Sequence, residues 1–224
     1  MCTLVVLHRP GHPWPLLLAA NRDEMIARPW RPPGRHWPDR PEVVAGLDET
    51  AGGSWLGIND HGVVAGVLNR RGSLGPAPDK RSRGELVLEA LDHADAAVAA
   101  RALGQLDPAA YRSFNLVVAD NRDAFWLRNL GEAREPGQGR PKVECFPLPP
   151  GVSMLTAYDR NDPASGRIRT YLPRFENAPP PDPERGEWAA WQAILAARGG
   201  NGVEGDERDE REAAMTVRLP SGFG

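Results

Sequence analysis

The sequence predicts a layered α/β protein whose sheets are mixed or antiparallel. Three observations predict it. Short runs rich in Val and Leu come in pairs joined by turn residues, which is the hairpin signature. Blocks with apolar residues at helical spacing interleave with those pairs. At 224 residues, with 41% hydrophobic and 25% charged side chains, the chain is long enough to bury a core of one large domain covering residues 1–224. Because hairpins dominate the strand connections, the sheets are expected to be mainly antiparallel.

Each element has its own reason. Thr3 to Leu7 and Leu16 to Ala20 read as buried strands, and HRPGHPWP between them is turn chemistry, so an antiparallel hairpin opens the protein. Residues 27–41 hold so many prolines that an extended loop is expected and a helix is excluded. Ser54 to Ile58 and Val63 to Leu68, around an Asp60-His61-Gly62 turn, read as a meander following VVAG. From Arg83, RGELVLEALDHADAAVAARAL has helical spacing after polar Ser82 and predicts one or two helices. FNLVVAD and AFWLRNL flank Asn121-Arg122-Asp123 as another hairpin, and a strand near Val143 to Phe146 precedes SMLTAY. GEWAAWQAILAARGG predicts a helix ended by Gly199, and the acidic run after it reads as a solvated loop.

Composition excludes several function classes. A net charge of -3 lacks the cationic excess of a phosphate-neutralising surface, so no nucleic-acid partner is expected. Arg9 and several prolines split the N-terminal apolar runs, so neither a signal peptide nor membrane insertion is expected. Cys2 and Cys145 make no disulfide framework and lack metal-ligand spacing, which reads as a reduced, cytoplasmic protein with no metal. The five histidines likewise show no paired metal spacing.

Chemistry concentrates at the beginning of the chain. If Met1 is removed, Cys2 becomes an N-terminal residue carrying nucleophile and base in one unit, because its α-amine can take the thiol proton. Under an intact Met1 it is an ordinary small residue. Asn21, Arg22, Asp23 and Glu24 follow the second strand abruptly, and a hairpin places the end of that strand beside Cys2. Arg22 there is expected to lower the thiol pKa, Asp23 or Glu24 to hold the α-ammonium, and Asn21 to shape the strand exit. The competing reading is a surface salt-bridge cluster of little energetic weight.

MCT at the start, ANRDE, GGSWLGIN, GVVAGVLN ending in Asn69, SRGELV and FNLVVAD, in that order, resemble the NRDE-domain family, also called the transport and Golgi organisation protein 2 family. The resemblance runs from Met1 to about residue 130. It implies the four-layer αββα sandwich of the N-terminal-nucleophile hydrolases, with two stacked, mainly antiparallel sheets. The N-terminal half also resembles the penicillin V acylases and bile salt hydrolases. On that resemblance Cys2 is the nucleophile with its own α-amine as base, Arg22 the arginine near the thiol and Asp23 the aspartate that contacts the amine. Glu24 is the alternative acid. Asn69 corresponds to an oxyanion donor, with a turn residue as the competing reading. Where many members carry Gly-Leu-Ser-Asn, this chain has Gly151-Val152-Ser153-Met154, which displaces a second donor to Thr156 or Asn161 or removes it.

The resemblance implies a cysteine amidohydrolase acting on a linear amide C–N bond of a small acylated substrate, without a cofactor. The alternative is a non-catalytic haem or lipid binding and trafficking protein on the same fold, with His and Cys residues as haem ligands. The oligomeric state is left open. Arg83 is a candidate for an anionic substrate group, and Glu85 complements the dipole of the helix it opens. GGSWLG lacks the lysine of a phosphate loop and reads as packing around Trp55. Cys145 reads as an inert core thiol. The tryptophans of the Pro-rich loops, Trp14, Trp30 and Trp37, read as packing on the body.

Overall fold

The computed structural model describes residues 2–131, 141–198 and 214–216. In chain order its strands are β1 (Thr3–His8), β2 (Leu16–Asn21), β3 (Trp30–Gly34), β4 (Val43–Asp48), β5 (Leu56–Asn59), β6 (Val64–Asn69), β7 (Phe114–Ala119), β8 (Ala124–Asn129), β9 (Glu144–Pro147) and β10 (Gly151–Leu155). The helices are α1 (Gly84–Leu91), α2 (Ala96–Leu103), α3 (Gly166–Asn177) and α4 (Ala189–Leu195). Every strand pairing within the two sheets is antiparallel. The chain divides into two compact units, one made of Met1–Ala27 with Pro149–Gly224 and the other of Arg28–Leu148.

The first unit holds a three-stranded sheet in the order β10-β1-β2. The opening hairpin has the expected register, with Thr3 opposite Asn21 and His8 opposite Leu16. β10 returns from far along the chain to pair on the other side of β1, Leu4 opposite Leu155 and His8 opposite Gly151. Val5, Leu7, Leu17 and Met154 pack with Ile168, Tyr171 and Phe175 of α3 and Trp191 of α4. Phe175 and Trp191 meet edge to face, centroids 5.1 Å apart, an arrangement aromatic quadrupoles favour. Helix α3 falls in a stretch, GRIRTYLPRFEN, to which the sequence reading assigned no element, and it holds Pro173 inside it. The Ser165 side chain caps it by accepting from the Ile168 amide, and Ile168, Tyr171 and Phe175 bury one face. Capping and burial outweigh the one proline. α4 falls where a helix was expected, but it closes at Leu195; Gly199 lies outside the described residues.

The second unit is a seven-stranded meander in sequence order, β3 to β9. The Pro-rich stretch forms no helix, as expected, yet it supplies edge strand β3 with an irregular register between Arg31 and Gly34. Pro32 and Pro33 are tolerated because an edge strand has one side without ladder bonds. α1 and α2 lay Leu86, Val87, Leu91, Ala99 and Leu103 on the Val43, Ala45, Ala65, Leu116 and Val118 face of the sheet. The helical block is two helices, and the break is marked by Asp95, which accepts from the Ala97 and Val98 amides.

Glycines set the distance of α1. A Cβ on Gly53 would stand 2.6 Å from the Gly84 carbonyl carbon, and the Ser54 amide donates to the Gly84 carbonyl. The GGSWLG and SRGELV motifs are therefore two halves of one backbone contact. Trp55 lies on Gly46 of the neighbouring strand, where a Cβ would come within 2.4 Å of its ring. The expectation that GGSWLG packs around Trp55 thus shifts by one strand.

Two further expectations are corrected. Cys145 is exposed and is no core thiol: the register sets it opposite Leu127, on the helix-covered face, but on β9 at the edge of the sheet. Of the loop tryptophans, Trp37 packs against the core while Trp14 and Trp30 stay exposed. Among the described residues no helix is long and apolar enough to cross a membrane.

Candidate active site

The hairpin register builds the site. Thr3 pairs with Asn21, so Cys2 and residues 22–24 leave the same end of the β1-β2 ladder. The Cys2 thiol donates to the main-chain carbonyl of Asp23 at 3.5 Å. The Asn21 side-chain amide donates to the carbonyls of Leu195 and Met215.

Asp23 is held by a residue that sequence reasoning missed. Both terminal nitrogens of Arg167 donate to Asp23 Oδ2 at 3.1 Å. Arg167 Nη1 also donates to Thr3 Oγ1 at 2.9 Å. The two charged side chains are 1% and 6% exposed, so this is a buried pair. One guanidinium therefore ties the residue after Cys2 to the aspartate whose carbonyl receives the thiol. Its only sequence signal is an arginine beside a helix-capping serine in an otherwise amphipathic stretch, and 144 residues separate it from Asp23.

The two candidate acids have different partners. Glu24 accepts from the Met25 amide and pairs with Arg22 at 3.7 Å, whereas Asp23 carries the Arg167 clamp. Arg22 acts on the thiol in the lowering direction, but burial outweighs it. Burial raises the Cys2 pKa above its ordinary value of 9.0, the charge of Asp23 adds to the rise, and the opposing effect of Arg22 ranks last. Desolvation disfavours thiolate more than one guanidinium already paired with Glu24 favours it.

Thr156 and Asn161 belong to the loop joining β10 to α3. Thr156 Oγ1 donates to Ser165 Oγ at 3.2 Å. Asn161, at a φ of 55°, accepts from the Met154 amide through Oδ1 and donates to the Val152 carbonyl through its side-chain nitrogen. Its amide group serves the edge of β10.

Asn69 and Arg83 lie in the second unit. Asn69 closes β6 opposite Phe114. Arg83 Nη1 donates to the Ser73 carbonyl, Ser73 Oγ and the Ser113 carbonyl, locking the turn just after Asn69. Glu85 stands in the first turn of α1, as expected, and pairs with Arg81. Among the described residues no group of three or more His, Cys, Asp and Glu is placed to hold a metal ion.

The fold can be compared with known structures. The structure is similar to a Caenorhabditis elegans N-acylethanolamine-hydrolyzing acid amidase ortholog, with a TM-score of 0.57, 12% identity, and 87% of this chain and 86% of that chain covered. At that identity the likeness is one of fold, and the fold is the α/β type of the N-terminal-nucleophile hydrolases. A penicillin V acylase from Agrobacterium tumefaciens aligns at a TM-score of 0.34 and 16% identity, over 70% of this chain and 44% of its own.

The chain belongs to the Transport and Golgi organisation 2 family, whose model matches residues 1–155. The mouse homolog is 36% identical over 110 residues and the Bos taurus homolog 40% identical over 114. Each match covers 47% of this chain and 38% of the relative's length.

Proposed function

We propose that the protein is a cysteine N-terminal-nucleophile hydrolase that cleaves a linear amide C–N bond in a small acylated substrate. The observation that carries this reading is the convergence of Cys2, Thr3, Asp23 and Arg167 at one end of the β1-β2 hairpin. The raised thiol pKa refines the chemistry, because at neutral pH the thiol keeps its proton and attack needs a base at hand. Removal of Met1 supplies one. The freed α-amine of Cys2, with a reference pKa of about 7.7 to 8.0, is unprotonated in roughly a tenth to a sixth of molecules at pH 7, and that fraction acts as the base.

In the proposed cycle the amine takes the thiol proton as Sγ attacks the substrate carbonyl carbon. The C–N bond then breaks, and the α-ammonium returns the proton to the leaving amine. Water, deprotonated by the α-amine, attacks the thioester. The C–S bond breaks, the carboxylic acid leaves, and the proton returns to sulfur. The role of Arg167 is to keep Asp23 and Thr3 fixed around the nucleophile. The oxyanion role of Asn69 rests on the family resemblance alone.

The experiment is intact-mass analysis of the chain from its native host, followed by assay with an acylated aminocoumarin amide. Loss of Met1 and fluorescence release that disappears in Cys2→Ala are expected. Retention of Met1, or equal release by Cys2→Ala, sinks the reading. In that event a spectral titration with haem tests the non-catalytic alternative.

A further inference from the structure

Residues 156–165 leave β10 and return to start α3, and the two ends of this loop meet. Thr156 Oγ1 donates to Ser165 Oγ at 3.2 Å, with both residues buried. The same Ser165 oxygen accepts from the Ile168 amide and caps the helix. Halfway round, the Asn161 main-chain amide donates to the Met154 carbonyl while its side chain takes the Met154 amide, pinning the loop to the edge of β10. The loop is thus closed at its neck and fastened at its middle.

The neck stands directly before the Asp23 clamp. Gly166 is the first residue of α3 and Arg167 the second. Both lie in the helical turn that Ser165 caps, so the direction in which Arg167 departs follows from where Ser165 holds that turn. Leu155 pairs with Leu4, which puts Thr156 at the Cys2 end of the sheet. We propose that the Thr156–Ser165 hydroxyl pair is a positioning device that welds the end of β10 to the first turn of α3 and so aims Arg167 at Asp23 and Thr3. Thr156 then acts through Ser165 and Arg167, and its hydroxyl does not meet substrate. The inference rests on the reading of Cys2 as nucleophile, since it concerns the groups around that thiol.

The charged groups acting on Cys2 are Asp23, the N-terminal amine and Arg22; Glu24 pairs with Arg22 and Arg167 with Asp23. When Arg167 is misaimed, the charge of Asp23 acts on the thiol without its counter-charge. The test is the pH profile of Cys2 alkylation by iodoacetamide, read by peptide mass spectrometry with Cys145 as the internal reference. Arg167→Met is expected to move the profile to higher pH. Thr156→Val is expected to move it in the same direction and less, lowering the rate near pH 8 roughly threefold, the effect of a half-unit change in thiol pKa. Thr156→Ser restores the wild-type profile. Ser165→Asn, which keeps a cap and an acceptor for Thr156 without adding charge, is expected to match wild type where Ser165→Ala shifts.

A lowered melting temperature in Thr156→Val with an unmoved profile overturns the proposal, leaving only a structural hydroxyl. If Thr156→Val does not fold, the Ser165 pair decides by the same criterion. Failure of the hydrolase reading is distinguishable, because it removes amide cleavage in the wild type without affecting these alkylation profiles.

Discussion

The two sheets are built by opposite strategies. In the seven-stranded sheet each strand pairs with its neighbour in sequence, from β3 to β9, with two helices inserted between β6 and β7. In the three-stranded sheet the opening hairpin is completed by β10, which pairs with β1 after most of the chain has intervened. The meander is a scaffold of local turns and close glycine contacts. The candidate site sits on the sheet that depends on a distant strand, and its buried ion pair links residues 144 apart. The difference teaches that turn chemistry suffices to order a meander, whereas the site needs β10 and α3 in place before its charges are matched.

Substitutions in each unit break this comparison at different strengths. The largest effect is expected for Arg167→Met, which leaves the buried carboxylate of Asp23 without its partner; losses from breaking such pairs run to about 3–5 kcal/mol. Urea unfolding measures it, and adding Asp23→Asn should recover much of the loss. An unchanged midpoint in the single variant means the pair is not buried in solution. In the meander, Gly53→Ala places a Cβ against the Gly84 backbone with no flexible side chain to yield. Overpacking of this kind costs about 1–3 kcal/mol, seen as a lower thermal midpoint, and wild-type stability there would remove the close contact as the reason for both glycines.

The units also differ in alkaline behaviour. Burial, then the charge of Glu89, pushes the Tyr111 phenol from its ordinary 10.0 up to about 12. Its folded form keeps the proton while the unfolded chain loses it, so stability present below pH 10 is lost as pH rises from about 10 towards 12. Tyr111→Phe should flatten that part of the stability curve. The raised Cys2 thiol acts with the same sign, and its share of the decline begins near pH 9.0. Comparing Cys2→Ala with Tyr111→Phe by unfolding at several alkaline pH values separates the two, and parallel curves in all three proteins contradict both shifts. The smallest effect is expected at the exposed Arg31–Glu49 pair: Arg31→Ala should change stability by less than about 1 kcal/mol, and a greater change would show that edge strand β3 relies on it.

Much of the fold is legible in the chain. The β1-β2 hairpin is announced by HRPGHPWP between apolar runs, and its register alone brings Cys2 to Asp23. The β7-β8 pair is announced by Asn121-Arg122-Asp123, where Asp120 accepts from the Arg122 and Asp123 amides. β3 is less legible because prolines argue against strands and only its place at the sheet edge makes them tolerable. Helix α3, with Pro173 inside it, is not announced by the chain, and Arg167 goes unread with it.

By itself, then, the sequence determined the hairpins, the helical blocks and the meeting of Cys2 with Asn21, Arg22, Asp23 and Glu24, because turn residues and alternation act over a few positions. The tertiary structure alone decided which acid is clamped, that the thiol is raised and not lowered, and that Thr156 faces Ser165. Those outcomes depend on desolvation and on partners brought from more than a hundred residues away, and neither has a local signature.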